Sequence, residues 1–278
     1  MTYRLLAIDI DGTLVNSRNE LTPATQMALM RASASGIHLV LATGRRYSHA
    51  LPLVEPLGIA APLVTASGAL IKQAVDHRTL YQASFDPDLL LRTLAAIDAA
   101  GYDPVFYGDT FAQGFDYYYG CDKVRTPELA EYLEKNPGRG RLLSDFITAP
   151  PAGLFAGCAM GTHQQMLELE RVLQQKLAGQ LHTHVIHSPR YSGYITEVSP
   201  LGVTKWSGIQ HLARAWGIEE AEICAVGDDV NDIPMIREAG LGVAMGNAQP
   251  TVKAVADRIA PPHDDDGLVE VVNWLLAS

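Results

Sequence analysis

The stretch Leu5-Leu6-Ala7-Ile8-Asp9-Ile10-Asp11-Gly12-Thr13-Leu14 decides how this chain of 278 residues is read. An apolar run breaks off in two carboxylates one residue apart. In an extended strand, side chains alternate between faces, so Asp9 and Asp11 share a face, and Gly12 lets the chain turn away. Acids at the carboxyl end of an N-terminal strand stand where open α/β sheets bind ligands. Two like charges this close raise each other's pKa and work against folding. A divalent cation removes that conflict, and hard oxygen donors with room for water suit Mg²⁺. Taken alone, the pair reads equally well as capping residues in a solvated turn.

Working outward, similar apolar runs recur at 37–41, 62–64, 222–226 and 241–244, each ending in small or polar residues. Apolar character at successive positions suits strands buried on both faces of a parallel sheet. Helical patterns with explicit caps lie between them. Thr22-Pro23 opens one, with Met27 and Met30 on one face and Gly36 beyond its end. Thr204 caps another, in which Ile209, Leu212, Ala213 and Trp216 share a face before Gly217. A third covers 233–239. Strand–helix alternation at both ends predicts an α/β fold with a doubly wound, Rossmann-like parallel-sheet core.

The middle, 85–197, reads as an inserted α+β domain, leaving 1–84 and 198–278 as the core. It holds a helix at 87–100, with Leu90, Leu91, Leu94 and Ile97 inward, and another at 163–177 striped by Met166, Leu169, Leu173 and Leu177. Between them lie the aromatic tract Phe115-Asp116-Tyr117-Tyr118-Tyr119 and a loop at Asn136-Pro137-Gly138. Strands at 182–186 and 191–198 flank a turn at Ser188-Pro189-Arg190.

Composition sets the outer bounds. The chain carries 21 basic against 31 acidic residues, a formal charge of −10, which argues against nucleic-acid and anionic-lipid partners. Cys121, Cys158 and Cys224 are too few and too scattered for a disulfide framework or a cysteine zinc site, so a reducing compartment is expected. The run 5–8 is too short for a signal segment, and no stretch approaches the ~18 apolar residues of a membrane span. A cytoplasmic address is therefore expected.

Three more segments reinforce the opening motif. The second run ends in Ala42-Thr43-Gly44-Arg45; the fourth ends in Gly227-Asp228-Asp229-Val230-Asn231-Asp232; Lys205 lies in the first turn of the Thr204 helix, where helix dipole and ammonium both attract an anion. Each has an ordinary structural explanation (a cap, a solvated turn, a surface lysine), but their joint occurrence in this order does not. Together they resemble the four motifs of the haloacid dehalogenase superfamily. The stretch 227–248, with Asn231-Asp232-Ile233-Pro234-Met235 and Gly242-Val243-Ala244-Met245-Gly246-Asn247-Ala248, is similar to its Cof-type phosphatases. The insert matches that family's larger cap, of C2B type.

The resemblance implies a Mg²⁺-dependent phosphatase acting on small phosphomonoesters, such as sugar phosphates or phosphorylated cofactors. Asp9 would be the nucleophile that forms an aspartyl-phosphate. Asp11 would protonate the leaving oxygen and later deprotonate water. Asp9, the backbone oxygen of Asp11, and Asp228 would hold Mg²⁺. Thr43, Gly44, Lys205 and Asn231 would bind the phosphoryl group, and Asp232 would orient Lys205. Asp229 is read as solvent-facing or supporting. Arg45, Ser67 and Gly68 are candidate substrate contacts. The insert would close over the substrate and supply specificity.

The chain departs from the family pattern twice. Ser67-Gly68-Ala69 stands where many members have Asn-Gly-Ala, shortening one polar side chain, and Trp206 follows the lysine where Gly is usual. A zinc site at His182, His184 and His187 is disfavoured for want of a fourth ligand, and Asp264-Asp265-Asp266 reads as a solvated loop. The alternatives are a phosphomutase of the same superfamily and a Mg²⁺-binding phospho-aspartate switch. The α/β insert argues against the first, and Asp11 against the second.

Overall fold

In the computed structural model, described for residues 3–187 and 190–277, the chain divides into two units. One comprises the residues up to Gln82 together with those from Thr204 on; the other is Ala83–Val203. The second unit starts two residues before, and ends six residues after, the 85–197 read from sequence, because its last strand continues to Pro200.

The first unit begins with β1 (Leu5–Asp9), α1 (Pro23–Ala34), β2 (His38–Ala42), α2 (Tyr47–Val54), β3 (Pro62–Thr65), β4 (Leu70–Gln73) and β5 (Thr79–Gln82). The second unit supplies α3 (Pro87–Ala99), β6 (Val105–Tyr107), β7 (Tyr117–Tyr119), α4 (Pro127–Lys135), β8 (Gly140–Leu142), β9 (Ala156–Gly161), α5 (His163–Lys176), β10 (Leu181–His187) and β11 (Tyr194–Pro200). The first unit resumes with α6 (Lys205–Ala215), β12 (Ile223–Gly227), α7 (Ile233–Glu238), β13 (Leu241–Ala244), α8 (Pro250–Lys253), β14 (Arg258–Ile259) and α9 (Gly267–Leu276).

The first unit's sheet runs β14-β13-β12-β1-β2-β3-β4-β5. Six of these strands are parallel, and the hairpin β4–β5 adds antiparallel pairs at one edge. Every residue of β1 and β12 is buried, as strands covered on both faces require. From β1 the chain winds one way through β2 and β3; from β12 it winds the other way through β13 and β14. The junction β1/β12 is therefore the switch point of a doubly wound sheet, and its carboxyl edge is where such sheets open a crevice. Ile8 pairs with Val226, Asp9 with Ala42, and Gly227 with Ala244, so four strands end level.

The helices follow their caps. Thr22 accepts from the Thr25 amide at 3.2 Å and sets Pro23 as the first residue of α1. The buried face of α1 is Thr25, Ala28, Leu29 and Ala32, packed on α9 and β2. Met27 and Met30 lie outside that stripe and are 61% and 49% exposed, correcting the reading that made them its apolar face. In α6, Thr204 and Ser207 form a reciprocal capping box, and Trp206, Ile209, Leu212 and Ala213 enter the core, so Trp206 is a packing residue. α9 was not anticipated, although Leu268, Val271, Val272 and Leu275 follow the helical spacing.

The second unit is a sheet of order β10-β11-β9-β6-β7-β8 backed by α3 and α5. Its core gathers Leu90, Leu94, Ile97, Phe106, Phe146, Met166, Leu169 and Leu173. Leu91 falls one position outside the stripe and is exposed, against the sequence reading. The tract at Tyr117–Tyr119 becomes β7, with Tyr117 buried against the rings of Tyr107 and Tyr132. The strand expected at 191–198 begins at Tyr194. Of the turn Ser188-Pro189-Arg190, Ser188 and Pro189 lie outside the described residues. His182 and His184 lie exposed on the edge strand β10, and no His, Cys, Asp or Glu group around them could hold a metal among the described residues. No helix among the described residues is long and apolar enough to cross a membrane.

The acidic run before α9 is exposed at Asp264 and Asp265, as read from sequence, and it is also a fastening. Asp264 accepts from the Ser17 amide at 2.8 Å. Asp266 accepts from the hydroxyls of Thr22 and, at 3.2 Å, of Thr25. These bonds hold the segment between β1 and α1. Asp266→Ala removes two charge-assisted hydrogen bonds and lowers stability by about 2 kcal/mol in urea unfolding. Asp265→Ala changes it by less than about 0.5 kcal/mol.

Candidate active site

The site is built at the carboxyl ends of β1, β2, β3, β12 and β13. Asp9 is the last residue of β1 and is 3% exposed. Lys205, the first residue of α6, is equally buried; its ammonium lies 2.6 Å from Asp9 Oδ1, 2.7 Å from Asp232 Oδ1 and 3.0 Å from Asn231 Oδ1. All three hydrogens of the ammonium are therefore used. The other oxygen of Asp232 accepts from the amides of Asp228 and Asp229 at 3.0 and 3.1 Å. Asp232, fully buried, thus clamps the turn after β12 and the lysine together.

Asp228 points toward β1. Thr13 donates to its Oδ1 at 3.3 Å, and Asn247 donates to its Oδ2 at 3.3 Å and to the Gly12 carbonyl at 2.9 Å. Gly12 has φ +77°, and a Cβ there would overlap the Asp228 carboxylate. Only glycine meets both the left-handed backbone and the close approach. Carboxylate oxygens of Asp9, Asp228 and Asp232 lie within 4.8 Å of one another.

Three buried or half-buried carboxylates face one ammonium, and their protonation reflects the excess. Burial, reinforced by Asp232 and Asp228, pushes Asp9 well above the usual carboxylate range despite Lys205. Burial, with Asp232 and Asp229 beside it, pushes Asp228 up to about 7. For Lys205 burial opposes the charge, but Asp232 and Asp9 outweigh it and raise its pKa. The donor set is oxygen only, carries two negative charges beyond the lysine, and leaves Asp232 committed to hydrogen bonds. Of the three, Asp9 and Asp228 are the carboxylates suited to a hard dication.

The second arm is organised around Asp11. Arg45 Nε donates to both of its oxygens at 2.9 Å, and Nη2 also pairs with Oδ1. Thr43, fully buried at the end of β2, donates to Asp11 Oδ2 at 3.3 Å and accepts from the Arg45 amide at 3.0 Å. Arg45 Nη2 further reaches Asn19 Oδ1 at 3.0 Å. Arg45 thus spends its guanidinium on Asp11 and Asn19.

The third arm is the loop after β3. Ala66 and Ser67 both adopt left-handed backbone (φ 46° and 54°), which is strained for residues other than glycine. Their amides bond the Arg45 and Thr43 carbonyls at 2.9 and 3.1 Å, tying the loop to the second motif. A Cβ built on Gly44 would lie 3.4 Å from Ser67 Oγ and 3.8 Å from Asn231 Nδ2, so these polar ends converge there. Gly68 is buried against the Thr204 carbonyl, a place only glycine fills, and serves the packing of α6.

The structure therefore brings together Asp9, Asp228, Asp232, Asn231 and Lys205, groups Asp11, Thr43 and Arg45, and sets Gly44 by Ser67 and Asn231. Asp229 is a turn residue that accepts from the Val230 amide and from Gln249. Sequence reasoning missed Thr13, Asn19 and Asn247 as members of the site. Asn247 had a signal, a polar residue just beyond a strand that ends at the same edge.

Comparison with known proteins agrees. The sequence profile described as haloacid dehalogenase-like hydrolase matches residues 6–272. The phosphatase YwpJ of Bacillus subtilis is 26% identical, over 98% of this chain and 100% of that protein. The HMP-PP phosphatase of Serratia proteamaculans is 29% identical, over 92% and 89%. A crystal structure of a haloacid dehalogenase-like hydrolase from Bacteroides thetaiotaomicron superposes with TM-score 0.79 at 27% identity, covering 99% of this chain and all of that one. With its motifs gathered at the switch point of a doubly wound sheet, the chain belongs to the haloacid dehalogenase-like hydrolases, within their Cof-type phosphatases.

Proposed function

We propose that this phosphoric monoester hydrolase is a Mg²⁺-dependent phosphatase of small-molecule esters that works through an aspartyl-phosphate on Asp9. The observation that carries the reading is the buried Asp9 carboxylate, held at 2.6 Å by Lys205 with Asp228 beside it. No structural task needs three acids around one lysine. Asp9, Asp228 and the Asp11 carbonyl would hold the cation, which would supply positive charge to offset repulsion between a carboxylate and a phosphate dianion.

The chain's own residues account for the rest. An Asp9 oxygen attacks phosphorus while the bond to the leaving oxygen breaks, and the Asp11 carboxyl protonates that oxygen. In the second half, Asp11 takes a proton from water as the water oxygen attacks phosphorus. The bond to Asp9 breaks, inorganic phosphate departs and the free carboxylate returns. Lys205, the Asn231 and Gly44 amides and the hydroxyls of Thr43 and Ser67 receive the charge that develops on the phosphoryl oxygens. Asp232 keeps Lys205 in place. The unit Ala83–Val203 is read as the C2B-type cap that selects the leaving group, in keeping with relatives named for different phosphatase activities.

Release of inorganic phosphate from a panel of sugar phosphates and phosphorylated cofactors tests this reading. Turnover is expected with Mg²⁺ and is abolished by EDTA; no turnover on any ester with Mg²⁺ would falsify it. Asp9→Asn is expected to lose at least about 10³-fold in kcat, and full activity in that variant excludes the covalent route. Gly12→Ala, which drives a methyl into Asp228, is expected to weaken Mg²⁺ binding by tenfold or more in titration calorimetry. Stability of the chelated protein has a defined pH sign. Folded Asp228 keeps its proton to about pH 7, whereas the unfolded carboxyl loses it near pH 4. Stability from this group is therefore full at low pH and falls, by a few kcal/mol, as pH rises between those values. In EDTA, the wild type should lose more melting temperature between pH 5 and pH 8 than Asp228→Asn does. Equal losses contradict the assignment.

A further inference from the structure

We propose that Arg45 is the positioning residue for Asp11 in the hydrolytic half of the reaction; this rests on the phosphatase reading above. The carboxylate of Asp11 is 45% exposed, just ahead of the turn at residues 12–14. Its orientation comes from Arg45, which meets both oxygens through Nε and one through Nη2. Asn19 Oδ1, at 3.0 Å, braces the same guanidinium. A planar fork held at both ends fixes a carboxylate in direction as well as distance, which a single-point ammonium does not.

The remaining donor, Thr43, shows why Arg45 is needed. A hydroxyl has one hydrogen, and here it goes to Asp11 Oδ2 at 3.3 Å, while its lone pair takes the Arg45 amide. When Thr43 turns that hydrogen to a phosphoryl oxygen, Asp11 loses it. Through the life of the phosphorylated enzyme, Arg45 is then the donor that keeps Asp11 aimed. At that stage Asp11 serves as a carboxylate, taking one proton from water as the water oxygen bonds phosphorus and the bond to Asp9 breaks.

The inference separates the two halves experimentally. With ³²P-labelled acetyl phosphate and Mg²⁺, the leaving acetate needs no protonation, so labelling of Asp9 does not depend on Asp11 as an acid. Wild type, Arg45→Gln and Arg45→Lys are labelled, chased with unlabelled acetyl phosphate and quenched in acid. Expected are labelling rates within about threefold of wild type, decay of the label at least tenfold slower in Arg45→Gln, and an intermediate rate in Arg45→Lys. Circular dichroism confirms folding of each variant, and if Arg45→Gln misfolds, slowed decay in Arg45→Lys decides. Unchanged decay in the folded variants overturns the inference, as does a raised KM for p-nitrophenyl phosphate at unchanged kcat, which would make Arg45 a substrate contact. A wild type that neither takes the label nor releases phosphate overturns the phosphatase reading itself, and this inference with it.

Discussion

The ammonium of Lys205 is the contact on which the site depends. It is buried, saturated, and shared between Asp9 at the end of β1, Asp232 in the turn after β12, and Asn231 beside it. Removing it would leave buried carboxylates facing one another with no cation, the costliest arrangement a protein interior offers. Its position is in turn fixed by backbone: the Thr204–Ser207 capping box starts α6 at that residue, and Gly68 lets the β3 loop lie flat against the Thr204 carbonyl. A helix cap and a missing Cβ thus set where a charge stands.

Electrostatics and backbone strain share this corner of the sheet. The carboxylates exceed the lysine by two charges, and Asp9 and Asp228 hold their protons more tightly than free carboxylic acids do. The left-handed pair Ala66-Ser67 is stabilised by bonds to the carbonyls of Arg45 and Thr43. Both tensions are local to a surrounding sheet whose β1 and β12 are buried throughout. A well-packed frame holds a poorly neutralised centre, which is the usual physical signature of a site kept for chemistry rather than for stability.

Much of this was legible in the sequence, for reasons that differ by element. Apart from the exposed His38 that opens β2, the strands β1, β2, β3, β12 and β13 are buried on both faces and so write themselves as largely apolar runs. The caps Thr22 and Thr204 are local and readable from neighbours. What escaped was decided by partners far away in the chain. Strands β4 and β5 have too few apolar residues to stand out, and they pair because β3 offers an edge. Met27, Met30 and Leu91 are apolar but lie off the buried stripes, since packing chose Ala28 and Leu29 in α1 and Leu90 and Leu94 in α3. Asp264 and Asp266 looked solvated because their partners Ser17, Thr22 and Thr25 stand some 240 positions earlier. Arg45 was placed in the site, but its two-point hold on Asp11 is invisible until the ends of β1 and β2 are aligned.

The order in which the chain is made gives these long separations a further meaning. Lys205 meets Asp9 across 196 positions, and Asp266 meets Thr22 across 244. The strands β1 to β3 emerge first with their central edge unpaired, since β12 lies beyond the whole second unit. That unit has its own sheet and its own core, and domains of multidomain chains generally fold as units, the N-terminal part first. The cluster around Lys205 cannot exist before residue 232 has left the ribosome, and the loop in front of it is also fastened by the segment just ahead of the last helix. The Asp9 carboxylate is thus made among the first ten residues and meets its partners Lys205 and Asp232 only after most of the chain has been synthesised.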